Sequence, residues 1–175
     1  WPLPVVEHAE GDVSSDLVQF VASDETEDRM GTTILTDGWQ LDNFRRNPVF
    51  LYGHNPEFPP LGLVQRIEVV EKQLLAAVRF DDGDDFAVLI YRKYVGGYMR
   101  GVSVGFRVLE YEEMAPQQDT NHGPSESHVV FTKTELVELS AVAVPANPRT
   151  LKRALGSRSK YFVPYLIPNT KAGGT

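Results

Sequence analysis

Cysteine does not occur in this chain of 175 residues. Its absence removes disulfides, cysteine nucleophiles and thiolate metal sites together, and leaves the fold indifferent to redox compartment. No apolar run approaches the ~18 residues needed to span a membrane as a helix. The opening stretch WPLPVVEHAE lacks the basic and apolar regions of a signal peptide and has no initiator methionine, so a trimmed or excised piece is expected. The four histidines show no paired spacing such as H-E-x-x-H, which argues against a metal hydrolase; no metal or cofactor is expected. Acids are missing after Glu138, where Arg149, Lys152, Arg153, Arg158, Lys160 and Lys171 make the end of the chain basic while the whole carries −7. That net charge argues against general nucleic-acid binding, and the uneven sign makes body and tail electrostatically different objects.

With 42% apolar and 23% charged residues, the chain is expected to form one domain with a core that needs no staples. Short alternating or β-branched runs dominate: LVQFVAS (17–23), TTILT (32–36), PVFLYGH (48–54), LGLVQRIEVV (61–70), QLLAAVRF (73–80), GVSVGFRVLEY (101–111), HVVFTKT (128–134) and LVELSAVAV (136–144). Their number and turn-rich separators predict a mainly β barrel or sandwich, with a hairpin turn inside VVEKQLL. Two helices complete an α+β reading. DGWQLDNFRRNP offers Asp37 as cap and Trp39, Leu41 and Phe44 as anchors before Pro48. DDFAVLIYRKYVGG opens on acids, closes on Gly96 and Gly97, and spaces Phe86, Leu89, Ile90 and Tyr94 at a helical period. Between 114 and 127 the chain loses hydrophobic content and gathers Pro, Gly, Ser and Gln, which predicts a mobile loop. The division is therefore a barrel domain over 1–150 and a basic tail over 151–175.

The run MRGVSVGFRVLEY carries the first chemical signal. Alternation sends Val102, Val104, Phe106 and Val108 to one face and Gly101, Ser103, Gly105 and Arg107 to the other. Glycine inside a strand marks a bend or a close approach, so the pattern suggests that something comes close to Ser103. A serine is a poor nucleophile until a base takes its proton and a third group orients that base. His54 follows the apolar strand VFLY and sits in the turn GHNPEFPP, a rigid place from which a scaffold presents a reactive group. His8 and His122 read as surface residues; His128 begins a strand. For the orienting acid, ELVELSAVAVPANP offers Glu135 and Glu138, which point to opposite sides of a regular strand, so only one can serve.

Together, NFRRNPVFLYGHN, MRGVSVGF and ELVELSAVAVPANP, in that order, resemble the signature blocks of the tailed-phage prohead proteases. These are serine peptidases thought to share a fold with the herpesvirus capsid protease, assemblin. The resemblance covers roughly residues 17–150 and implies a closed or partly open β-barrel of the herpesvirus capsid-protease type. It makes Ser103 the nucleophile, His54 the general base and Glu138 the orienting acid, with Glu135 and His128 as alternatives for the third role. The glycines flanking Ser103 would then leave room for a substrate backbone, and Arg100 and Gly101 are candidate oxyanion donors. Implied substrates are the major capsid protein, its scaffold segment and the chain itself, cut inside the phage prohead in the bacterial host cytoplasm. The basic tail would dock the enzyme in the shell or be removed by self-cleavage, and a homodimer follows by analogy with assemblin. No nucleic-acid or membrane partner is implied. The rival readings are a non-catalytic capsid-associated β-barrel module and an esterase or amidase. GVSVG lies within an extended run and lacks the strand–turn–helix setting of an α/β-hydrolase elbow.

Overall fold

The structure, a computed structural model, describes residues 17–114, 118–119, 123–124 and 128–153. Ten strands and two helices are present among the described residues: β1 (Val18–Asp24), β2 (Thr32–Ile34), β3 (Trp39–Gln40), α1 (Asp42–Arg46), β4 (Val49–Tyr52), β5 (Gly62–Val70), β6 (Gln73–Phe80), α2 (Asp85–Val95), β7 (Gly101–Met114), β8 (Gln118–Asp119), β9 (Gly123–Pro124) and β10 (His128–Val142). The fold is mainly β, a curled and partly open barrel. Most of the expected loop 114–127, and the chain beyond 153, lie outside the described residues.

β10 organises the sheet. One edge pairs in parallel with β2, then β3, then β4, while the other pairs antiparallel with β7 along its whole length. From β4 the sheet continues through β5 and β6 to β1. The β5–β6 hairpin turns through Glu71 and Lys72, both at positive φ, as a tight two-residue connection with the right twist requires. The stretch Thr150–Arg153 then ties the two ends of the sheet. Val102 N–H donates to Thr150 O and Lys152 N–H to Arg100 O on the β7 side; Val21 N–H donates to Leu151 O and Arg153 N–H to Gln19 O on the β1 side. Residues 151–153 therefore belong to the barrel, where the sequence had placed the start of a tail.

Period-2 burial fills the interior. Phe20, Phe50, Leu139, Ala141 and Val102 are fully buried, and Phe20 stacks on Phe50 with centroids 5.9 Å apart. Tyr94 from α2 meets Phe20 edge-on at 5.1 Å and donates its hydroxyl to Gly101 O at 2.7 Å, locking the helix to the start of β7. Burial pushes the Tyr94 pKa well above the ordinary tyrosine value.

Three local expectations change. HVVFTKT and LVELSAVAV form one continuous strand, because register shifts after Phe131, Lys133 and Leu136 absorb the irregular pattern without breaking the pairing with β7. The first helix shrinks to Asp42–Arg46 with Leu41 as its uncapped start, and Asp37 lies in a 3-10 turn, Thr36–Gly38. Pairing of Trp39 with Thr134 wins over helix propensity there, and Gly38 admits the Thr132 carbonyl so closely that a Cβ could not fit. Trp39, Leu41 and Phe44 are nevertheless buried as expected. In α2, Asp84 accepts from Phe86 N–H at 2.9 Å, but the buried face is Ala87, Ile90 and Tyr94 while Phe86 and Leu89 are exposed.

Candidate active site

The parallel pairing of β4 with β10 sets Leu51 opposite Ser140 and Tyr52 opposite Ala141, so the turn leaving β4 emerges beside the C-terminal part of β10. Gly53 and His54 both take positive φ, 63° and 59°, and Gly53 N–H donates to Ala141 O at 3.0 Å. This tight reversal folds His54 back over β10. A left-handed conformation is costly for a histidine, and it persists where surrounding bonds over-determine it. Two do so. His54 N–H donates to Ser140 Oγ at 3.1 Å, and His54 Nδ1 lies 2.5 Å from Glu138 Oε1.

Glu138 is held from a second side, because Ser140 Oγ donates to Glu138 Oε2 at 2.6 Å. Its side chain is only 14% exposed, against 42% for His54. The hydrogen bond that His54 Nδ1–H donates to Glu138, reinforced by the carboxylate's negative charge, raises the His54 pKa above the ordinary value of 6.5, with partial burial opposing it. A carboxylate bonded to Nδ1 fixes the tautomer with the proton on that nitrogen and leaves Nε2 as the basic atom.

Antiparallel pairing sets Ser103 directly opposite Ser140, and Gly105 opposite Glu138. Directly paired residues share a face, so Ser103, Gly105, Glu138 and Ser140 lie on one face, with Val102, Val104, Leu139 and Ala141 on the core side. The alternation read from the sequence around Ser103 holds. Ser103 is 8% exposed whereas Ser140 is fully buried, so of the two residues only Ser103 keeps a trace of solvent exposure. No hydrogen bond links Ser103 to His54; the His54 turn bonds to Ser140 from one side of β10, and Ser103 pairs with Ser140 from the other. Ser103 also borders a small cavity of about 40 Å³ with Ser23, Asp24, Thr32, Asn147 and Thr150.

Glu135 lies on the same face as Glu138, contrary to the expectation for a regular strand. The bulge at Val137 puts Leu136 and Leu139 both into the core, and so turns both acids outward. Glu135 is committed elsewhere: Asn43 Nδ2 donates to it at 2.5 Å and Arg107 pairs with it. The Asn43 bond, helped by Arg107, lowers its pKa. His128 sits at the far end of β10, on the order of 30 Å from Glu138 at about 3.3 Å per residue, and its Nδ1 is 3.7 Å from Glu27. Neither joins His54.

The flanking glycines serve a different purpose from the one expected. A Cβ at Gly105 would overlap Glu138 Oε1, and one at Gly101 would lie 2.8 Å from Pro145 Cδ. The space they leave is occupied by the protein itself. Gly101 is enclosed between Val142 and Leu151, and the Arg100 carbonyl accepts Lys152 N–H at 2.7 Å.

Beyond the His54 turn, Pro59, Pro60, Leu63, Phe80, Val88 and Tyr91 line an open groove of about 1020 Å³, rimmed by Asp81, Asp82 and Asp84. Among the described residues no group of three or more His, Asp or Glu side chains is placed to hold a metal ion, and no helix is long and apolar enough to cross a membrane.

An imidazole–carboxylate pair, set on a β-barrel one strand away from a serine, is the kind of arrangement found in serine hydrolases. The sequence comparisons narrow this class. Residues 41–160 match the family described as Caudovirus prohead serine protease, and the chain belongs to that family. It is 27% identical over 134 residues to the prohead protease of Escherichia phage T5, covering 74% of this chain and 58% of that protein. It is 28% identical over 137 residues to the capsid polyprotein of Pseudomonas phage PAJU2, covering 75% of this chain and 19% of that protein. The chain thus spans less than two thirds of either relative. No solved structure is a significant match.

Ser140 is the residue that sequence reasoning missed. Its signal was present: it stands two places after Glu138 in ELSAV, on the same strand face, where a hydroxyl can reach the carboxylate.

Proposed function

We propose that this chain is a serine endopeptidase of phage prohead maturation, with Ser103 as nucleophile, His54 as general base and Glu138 as the group that orients it. The observation carrying this reading is the 2.5 Å contact of His54 Nδ1 with Glu138 Oε1, set on the strand whose Ser140 faces Ser103. In the reaction, Ser103 Oγ forms a bond to the substrate carbonyl carbon as its proton passes to His54 Nε2. The C–N bond then breaks, with that proton delivered to the leaving amine. Water, deprotonated by the same nitrogen, cleaves the acyl-enzyme and restores the serine. Glu138 stabilises the imidazolium formed in both halves.

Family membership and the two phage relatives support a capsid protein as substrate; its scaffolding segment and the chain itself complete the proposed substrates, cut inside the prohead in the host cytoplasm. The groove beyond the His54 turn is a suitable bed for an extended substrate segment. Co-expression with the capsid precursor, followed by mass measurement of the products, tests the reading. Cleavage that disappears in Ser103→Ala and in His54→Ala supports it; cleavage unchanged in Ser103→Ala would leave the non-catalytic module as the better account.

A further inference from the structure

The buried hydroxyl of Ser140 has no role in the triad chemistry, yet it touches both of the groups that support Ser103. It donates to Glu138 Oε2 at 2.6 Å and accepts from His54 N–H at 3.1 Å. With the His54–Glu138 contact at 2.5 Å these bonds close a ring: imidazole, carboxylate, Ser140 hydroxyl, His54 backbone. The ring matters because the His54 turn is otherwise tethered to β10 through Gly53 N–H, and His54 itself sits at φ 59°. A residue in that region relaxes if the bonds around it are withdrawn.

We infer that Ser140 is a positioning residue of the active site, one hydroxyl that sets the imidazole and its carboxylate partner against each other and against the strand bearing Ser103. Three features make it suited to this. It is fully buried, so its hydroxyl does not exchange partners with water. It is the direct cross-strand partner of Ser103, so whatever it holds is indexed to the nucleophile by the β7–β10 ladder. Its hydroxyl is one donor and one acceptor here, and both are used in opposite directions, which fixes the proton towards Glu138. Ser140 touches neither substrate nor the reacting atoms; it acts through His54 and Glu138. The inference rests on the triad assignment proposed above.

The test uses the full chain and two readouts. Ser140→Ala, confirmed as folded by its thermal transition, is expected to lower kcat by roughly 10- to 100-fold with KM little changed, as displacement of a catalytic group by about 1 Å does. In a Ser103→Ala background, NMR titration of His54 is expected to show its pKa falling back towards the ordinary value once Ser140→Ala is added, because the carboxylate is no longer aimed at Nδ1. Ser140→Thr, which keeps the hydroxyl, is expected to retain the raised pKa. A kcat within twofold of the parent in Ser140→Ala would overturn the inference. So would a loss of kcat with the His54 titration unmoved, which marks a purely structural effect. Because the titration requires no turnover, it stays separate from the fate of the protease reading, which falls if Ser103→Ala remains active.

Discussion

Gly105 and Glu138 face each other across β7 and β10, and the carboxylate of Glu138 fills the volume that a side chain at 105 would need. The glycine is thus part of how the acid reaches His54. Gly105→Ala is expected to push the carboxylate away from Nδ1 and reduce kcat by roughly 100-fold, the scale of a misplaced catalytic group. Peptidase assays on purified protein, with circular dichroism to confirm the fold, check this.

Because the hydrogen bond to Glu138 raises the His54 pKa, a His54 acting as the proposed base is neutral only above that raised value. The acid limb of the kcat/KM profile is expected to lie above 6.5, the ordinary histidine value. Glu138→Gln is expected to move the limb downward while lowering kcat by up to about ten-thousand-fold, since an amide no longer fixes the imidazole tautomer with its proton on Nδ1.

The same shift links stability to pH. A pKa raised on folding contributes stability that is fully present below the unfolded value and is lost as pH rises through the folded one. The His54–Glu138 pair therefore favours the folded state on the acid side of neutrality, and Glu138→Gln is expected to flatten that part of a plot of Tm against pH.

The bridge that Thr150–Arg153 makes between the β1 and β7 sides of the sheet predicts where the chain can be shortened. Ending it after Arg149 removes the backbone bonds to Val102, Arg100, Val21 and Gln19. Those bonds are worth roughly 1 kcal/mol each, so Tm is expected to fall on the order of 10 °C. Ending it after Arg153 leaves them all in place. Calorimetry on the two truncations compares them directly.

Tyr94→Phe keeps the aromatic contacts of α2 but leaves the Gly101 carbonyl without its 2.7 Å donor. A loss of about 1–3 kcal/mol is expected in denaturant unfolding. The start of β7, two residues before Ser103, is the region expected to loosen, with hydrogen exchange as the readout.

Much of the barrel was legible because period-2 burial is local information. QLLAAVRF is β6 at both ends, and the faces of Val102, Ser103 and Val104 were assigned correctly from alternation alone. The same rule misplaced Glu135, because one extra residue at Val137 reverses the phase and no composition signal announces a bulge. Helix period likewise located α2 and two residues of its buried face, Ile90 and Tyr94, but not the whole of that face. Phe86 and Leu89 are as apolar as Ile90, and only the position of the barrel decides which of them meets it.

Sequence by itself determined that this chain is a cysteine-free, mainly β domain in which a serine on an alternating strand, a histidine after a second strand and an acid on a third stand in a family's order. Tertiary structure decided which of those groups meet. β10 lies between β4 and β7, so residues far apart in the chain become neighbours across two strand spacings of roughly 4.8 Å each. It also brought in Ser140 and assigned Gly105 to the carboxylate, because hydrogen bonds and excluded volume act between chain segments whose adjacency exists only after the sheet has closed.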